Sequence, residues 1–288
     1  MILFHDLIDR VPVAADYVRE TCAAGRTIEF DHGAVRTVAW PCGSLPPGEA
    51  ALTRILRPLG FRLNGIYPLD KLRMTGRSWC HEDFPEQIAQ FFVPELHPDR
   101  FTAQFQSAVT RVVGHSTDPL HACHHAWLEQ LARDHCLPFE TAVRLLTRLP
   151  SCFARQHDLF ELADYEQLLS ESAEMAWIAT EGNAFNHATD RVSDVDAVAQ
   201  EQREKRRPIK EVVEVSGSGR VRQTAFRATD VKRKFLSQGG IVERTVPGSF
   251  YEFISRARID QEGGGALDLQ FDAGNATAIF GMTTANAS

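Results

Sequence analysis

Apolar positions along the chain follow two rhythms. Residues 1–26 carry them at helical spacing, around Leu3, Leu7, Val11, Val13 and Ala14, which predicts helix. The next stretch, TIEFDHGAVRTVAW (27–40), alternates and predicts strand. Pro41, Gly43, Pro46, Pro47 and Gly48 make a loop, and EAALTRILRPLGF then reads as a short helix closed near Pro58 and Gly60. Residues 61–80 read as strands, and 86–95 (EQIAQFFVPE) add apolar character. Over 101–180 the rhythm changes to long helical patterns such as HHAWLEQLARDH, FETAVRLLTRL and YEQLLSESAEMAWIA, which predict a helical insertion. Beyond it, AFNHATDRV (184–192) is a strand and DVDAVAQEQREKRR (194–207) a helix. IKEVVEVSGSGRVRQTAFRA is a hairpin turning at Gly-Ser-Gly, and RTVPGSFYEFISRARI (244–259) is a further strand.

The order strand, helix, strands thus occurs on each side of the helical insertion. Phe30-Asp31-His32-Gly33 aligns with Phe185-Asn186-His187-Ala188, offset by 155 residues. The reading is an α+β fold in which two βαβββ modules pair into one concave sheet. Its parts are N-terminal helices (1–26), a first module (27–100), the insertion (101–180) and a second module (181–288), all in a single domain.

Composition narrows the class without choosing a function. The 288 residues are 43% hydrophobic and 24% charged, as in an ordinary globular protein, so disorder, collagen and coiled coil are excluded as the main architecture. The net charge of −7 supplies no basic footprint, and no nucleic-acid partner is expected. Asp6, Asp9 and Arg10 interrupt any secretory apolar region, and no run is long enough to span a bilayer, so a cytoplasmic protein with no membrane partner is expected. None of the six cysteines sits in a CxxC pair, which removes thiolate zinc fingers and dithiol redox sites.

Three residues could carry chemistry together. His32, His187 and Glu252 each lie mid-strand and fit a two-His, one-carboxylate metal set that leaves coordination positions open. Glu252 shares a strand face with Phe250 and Ile254, so an unpaired carboxylate there would be costly. Either a metal or Arg256, on the same face, would resolve that cost. Arg36 follows His32 by four residues, roughly 13 Å along a strand. It is either a structural arginine or a fork for a substrate carboxylate. A second histidine group, His115, His121, His124, His125 and His135, falls in the insertion. His121 and His125 would share a helix face as zinc ligands do, but HExxH is missing and packing or surface roles are favoured. The Ser-Gly-Ser-Gly run lacks the GK[ST] of a phosphate loop, EQREKRR is a solvated helix end, and GGG (263–265) reads as a flexible loop.

DHGAVR (31–36), FNHATDRV (185–192) and VPGSFYEFISR (246–256) together resemble the 2-oxoadipate dioxygenase/decarboxylase family, also called D-2-hydroxyglutarate synthase. LRMTGRSW (72–79), FFVPELHP (91–98) and FDAGNATAIFGMT (271–283) extend the resemblance across most of the chain. The end of the second module is also similar to that of 4-hydroxyphenylpyruvate dioxygenase. The resemblance implies a vicinal-oxygen-chelate fold and an Fe(II) cofactor held by His32, His187 and Glu252. It implies Arg36 as the substrate-binding residue, with Arg73, Arg77 and Arg256 as further carboxylate contacts. The implied partners are a 2-oxo diacid and O2, and the implied reaction converts 2-oxoadipate and O2 to 2-hydroxyglutarate and CO2, a step of lysine catabolism. Alternatives are a metal-dependent hydrolase or lyase on the same fold, or a binding protein that has lost catalysis.

Overall fold

The computed structural model describes residues 1–259 and 265–272. The first module contains β1 (Phe30–Ala34), β2 (Thr37–Val38), α3 (Ala50–Leu56), β3 (Phe61–Leu69), β4 (Met74–His81), β5 (Gln90–Phe92) and β6 (Glu95–Leu96). Two helices, α1 (Ile2–Arg10) and α2 (Pro12–Ala23), precede it, divided where Pro12 starts the second helix. The insertion holds α4 (Ala103–Val113), α5 (Ala122–Asp134), α6 (Phe139–Arg148), α7 (Leu162–Glu171) and α8 (Ala173–Glu181). The second module contains β7 (His187–Arg191), α9 (Val195–Glu204), β8 (Glu214–Val215), β9 (Val221–Ala225), β10 (Asp230–Ser237), β11 (Gly240–Pro247) and β12 (Phe250–Arg256). Local chemistry sets several starts. The side chains of Thr102, Ser172 and Asp194 accept backbone N–H bonds at the first turns of α4, α8 and α9.

The modules meet at β1 and β7, which pair antiparallel with Ala34 opposite His187 and His32 opposite Thr189. Outward from that seam the arrangement mirrors itself. β5 lies parallel to β1 and antiparallel to β4, which pairs with β3. β12 lies parallel to β7 and antiparallel to β9, which pairs with β8. Each side is therefore a βαβββ unit, and one ten-stranded sheet runs through both.

Strand alternation sends side chains to two cores. One face carries Ala188, Tyr251 and Phe253 against Phe4, Leu7 and Tyr17 of the N-terminal helices and Val195 and Val198 of α9. The other carries Ala34 and Phe92 against Phe105 of α4 and Met175, Trp177 and Ile178 of α8. The helical insertion thus covers part of the face that bears His32, His187 and Glu252.

Two expectations change. The stretch read as one strand over 244–259 breaks at Gly248 and Ser249. Its first part belongs to β11, which pairs with β10 in a separate two-stranded sheet inserted between β9 and β12. The 27–40 strand also breaks, between Ala34 and Thr37, where the chain passes from pairing with β5 to pairing with β6. Gly263 and Gly264 lie outside the described residues, as does the 271–283 motif beyond Asp272.

Candidate metal centre

Register on three adjacent strands assembles the site. His32 stands opposite Thr189, and Thr189 opposite Glu252, so these side chains rise from one face of β1, β7 and β12. His187, two residues before Thr189, shares that face. One ligand atom from each of His32, His187 and Glu252 lies within 4.8 Å of the others. Glu252 Oε2 is 3.4 Å from the Nε2 of both histidines. All three side chains are buried.

The other ring nitrogens are held from behind. Asp31 Oδ1 lies 2.9 Å from His32 Nδ1, and Asn186 Oδ1 lies 3.1 Å from His187 Nδ1. An ionised carboxylate only accepts, so Nδ1 of His32 carries the proton and Nε2 faces the cluster; the amide oxygen selects the same tautomer in His187. Asp31 is in turn gripped by the Arg256 guanidinium, Nε to Oδ2 at 2.8 Å and Nη2 to Oδ1 at 2.9 Å. Thr189 donates to Glu252 Oε2 at 2.6 Å.

The electrostatics match this wiring. Burial alone would raise the carboxyls and lower the imidazoles. Against burial, Arg256 and the His32 contact hold Asp31 far below the usual carboxylate range. His32, against burial, is raised by Asp31 and Glu252. His187 is lowered to about 3, by burial first. Glu252 is lowered, because His32 and His187 outweigh its desolvation. Two neutral-capable imidazoles and one ionised carboxylate, aimed at a common point and oriented from behind, fit a divalent metal.

Arg36 is fully buried in the connection between β1 and β2. Its Nη2 lies 2.8 Å from Glu174 Oε2 on α8 and 3.4 Å from Asn186 Oδ1, and its guanidinium sits 4.8 Å above the Trp177 ring. It therefore borders the site at the His187 end.

The other three arginines are placed differently from the sequence expectation. Arg77 alternates with Ser78 and falls, like Trp79, on the opposite sheet face, where it pairs with Glu49 and Glu95 at 3.3 Å each. Arg73 is exposed, at a left-handed turn before β4, with its guanidinium over Phe101. Arg256 faces Asp31 rather than Glu252. It acts on His32 through Asp31 and also donates to the carbonyls of Asp268 and Gln270.

Those carbonyls belong to a segment that crosses the site. Phe271 places its ring 4.8 Å from both His32 and Phe92, and Tyr67 donates to Gln270 at 2.9 Å. Clefts of about 710 and 700 Å³ open elsewhere, against Tyr17 and Asp190 and beside α1. The metal-ligand candidates line neither, and the chemistry of the donor set outweighs cleft size in locating the site.

The insertion histidines form no such cluster. His121 is the N-cap of α5 rather than a mid-helix residue, His124 accepts from its backbone N–H, and His125 pairs with Asp118. Among the described residues, His32, His187 and Glu252 are the set close enough to hold a metal. Sequence reasoning missed Asp31, Asn186, Thr189, Glu174 and Phe271. The first two lay in view as the residue before each histidine of the repeat, and Phe271 opens the FDAGNATAIFGMT motif; nothing local marked Glu174.

The mirrored modules and the buried triad at their seam define a protein of the glyoxalase superfamily built around a site fit for a metal. A crystal structure from Ralstonia eutropha JMP134, assigned to that superfamily, is 57% identical to this chain. It covers 94% of this chain and 83% of its own, with a TM-score of 0.90. A model of the family described as 2-oxoadipate dioxygenase/decarboxylase matches residues 6–272, and the chain belongs to this family. It is thus an oxygen-using dioxygenase and decarboxylase.

The hydroxyglutarate synthase of Oryza sativa, solved in complex with 2-oxoadipate, is similar at a TM-score of 0.73 and 17% identity, covering 98% of this chain and 89% of its own. That of Pseudomonas putida, also in complex with 2-oxoadipate, is similar at 0.65 and 19%, covering 97% and 66%. At these identities the likeness is one of fold. A search of curated proteins found no match. No helix among the described residues is long and apolar enough to cross a membrane.

Proposed function

We propose that the protein is an Fe(II)-dependent dioxygenase/decarboxylase of a 2-oxo dicarboxylic acid, with 2-oxoadipate, O2, 2-hydroxyglutarate and CO2 as its reactants and products. The observation that carries this reading is the convergence of His32, His187 and Glu252, with Arg36 buried at one end. The complexes of the Oryza and Pseudomonas enzymes with 2-oxoadipate support the choice of substrate.

Fe(II), when bound, supplies the chelation of a 2-oxo acid and the reduction of O2. The chain's own residues do the rest. His32, His187 and Glu252 would hold one side of the ion and leave the other for substrate and O2. Asp31 and Asn186 fix the two imidazoles, and Arg256 keeps Asp31 ionised. Arg36 takes the far carboxylate of the diacid as a charge-assisted pair. Phe271 and Phe92 keep water from the His32 side.

Oxygen uptake after anaerobic reconstitution with Fe(II) tests this, using a panel of 2-oxo acids. Uptake with 2-oxoadipate and formation of 2-hydroxyglutarate are expected. His32→Ala and His187→Ala should lose bound metal, and His121→Ala should keep it. Metal lost only from His121→Ala, or no uptake with any 2-oxo acid, refutes the reading.

A further inference from the structure

The Arg36 guanidinium already has a carboxylate partner. Glu174, in the first turn of α8, reaches across the sheet face to pair with it at 2.8 Å, and both side chains are almost fully buried. The helix that carries Glu174 is well anchored. Ser172 caps it, and Trp177 donates to the carbonyl of Gly248 at 3.0 Å, next to Phe250, whose ring stacks on His187. Glu174 therefore belongs to a fixed wall of the site. A chain of contacts runs from Glu174 through Arg36 and Asn186 to His187.

A dicarboxylate held at the ligands and reaching Arg36 would bring a second carboxylate to a guanidinium that is already neutralised. Two buried anions sharing one cation repel each other, and the usual resolution is that one of them takes a proton.

We propose that Glu174 is a specificity-determining residue. It holds Arg36 in the substrate-free protein, gives up that pairing to the far carboxylate of a diacid, and takes up a proton as it does so. The protonated Glu174 then donates a hydrogen bond where the ionised one would repel. A 2-oxo acid without a far carboxylate leaves the pair undisturbed. This inference rests on the reading of Arg36 as the arginine that meets the far end of the substrate.

The surroundings of Glu174 support a proton exchange at this position. Burial pushes its carboxyl up to about 7 against the pull of Arg36. Glu171 at the end of α7 accepts from Thr102, Glu181 at the far end of α8 is bound by Arg233 of β10, and His187 lies beyond Asn186.

The test is calorimetric titration of anaerobic, Fe(II)-loaded protein at pH 8, in two buffers of different ionisation enthalpy. Uptake approaching about one proton per 2-oxoadipate is expected, because the carboxyl is mostly ionised at that pH before binding and neutral after it. Little or none is expected with 2-oxohexanoate, which shares the chelating end and lacks the far carboxylate. Glu174→Gln should remove the uptake and retain or tighten 2-oxoadipate binding. Equal proton counts for the two acids in the unaltered protein overturn the proposal, as does an undiminished count in Glu174→Gln. Binding of neither acid overturns the reading of function itself, and the proposal with it.

Discussion

Replacing Asp31 with Asn separates two jobs that one carboxylate performs. Asp31 accepts from His32 Nδ1 at 2.9 Å and from two nitrogens of Arg256 at 2.8 and 2.9 Å, with its side chain fully buried. Asn keeps one acceptor oxygen and turns the other into a donor. Whichever way the amide sits, one N–H of His32 or Arg256 faces an N–H. Removing one member of a buried ion pair costs about 3–5 kcal/mol. Arg256 retains the carbonyls of Asp268 and Gln270 at 2.9 and 2.8 Å, which places the loss near the low end, about 3 kcal/mol.

The metal should suffer less. Losing the group behind a ligating histidine typically weakens affinity about 10–100-fold. Asn186 already does this job with an amide at His187, so a loss of about 10-fold is expected for Asp31→Asn. Urea unfolding of the metal-free protein measures the first effect, and chelator competition for Co(II) or Fe(II) measures the second. An unfolding free energy within about 1 kcal/mol of the unaltered protein would refute the buried-pair reasoning. An unchanged metal affinity would refute the assignment of Asp31 as the support of His32.

Two further outcomes follow from packing and from titration. A Cβ added at Gly33 would stand 2.4 Å from two ring carbons of Phe185, which is itself wedged between Phe4, Phe91 and Phe153; Gly33→Ala should cost about 1–3 kcal/mol in denaturant unfolding, and a neutral result would show that the ring can move. Asp190 accepts from Tyr17 at 2.7 Å, and burial raises its carboxyl to about 6. A folded value above the unfolded one, about 3.9, means that its contribution is fully present below about pH 4 and is lost as pH rises through about 6. Asp190→Asn mimics the protonated form, so its stability should fall less between those limits than that of the unaltered protein, by on the order of 2 kcal/mol, and parallel pH curves would count against this account.

Much of the site was legible because its signals are local. His32, His187 and Glu252 each stand in a short alternating run, and the repeated Phe-Asx-His pattern marks both each candidate histidine and the residue that orients it. Arg77 was misplaced for an equally local reason. A one-residue difference in strand parity sends it to the opposite face, and composition does not reveal which face is which. Glu174 carried no signal, and Phe271 stood only at the head of a motif, since nothing near either in the chain shows that it borders a site built from β1, β7 and β12. The separate β10–β11 sheet was missed because a strand pattern continues through Val246 into Phe250 without showing that it changes partner at Gly248.

The sequence by itself determined the two modules, the helical insertion between them and the three residue types able to ligate a metal, because periodicity and turn chemistry act over a few residues. Only the tertiary structure decided that β1 and β7 join antiparallel at the seam, that Arg256 serves Asp31, and that α8 brings a carboxylate to Arg36. These are contacts between segments far apart in the chain. They are set by which faces must be buried together and by which buried charges must find partners, and no local pattern encodes either.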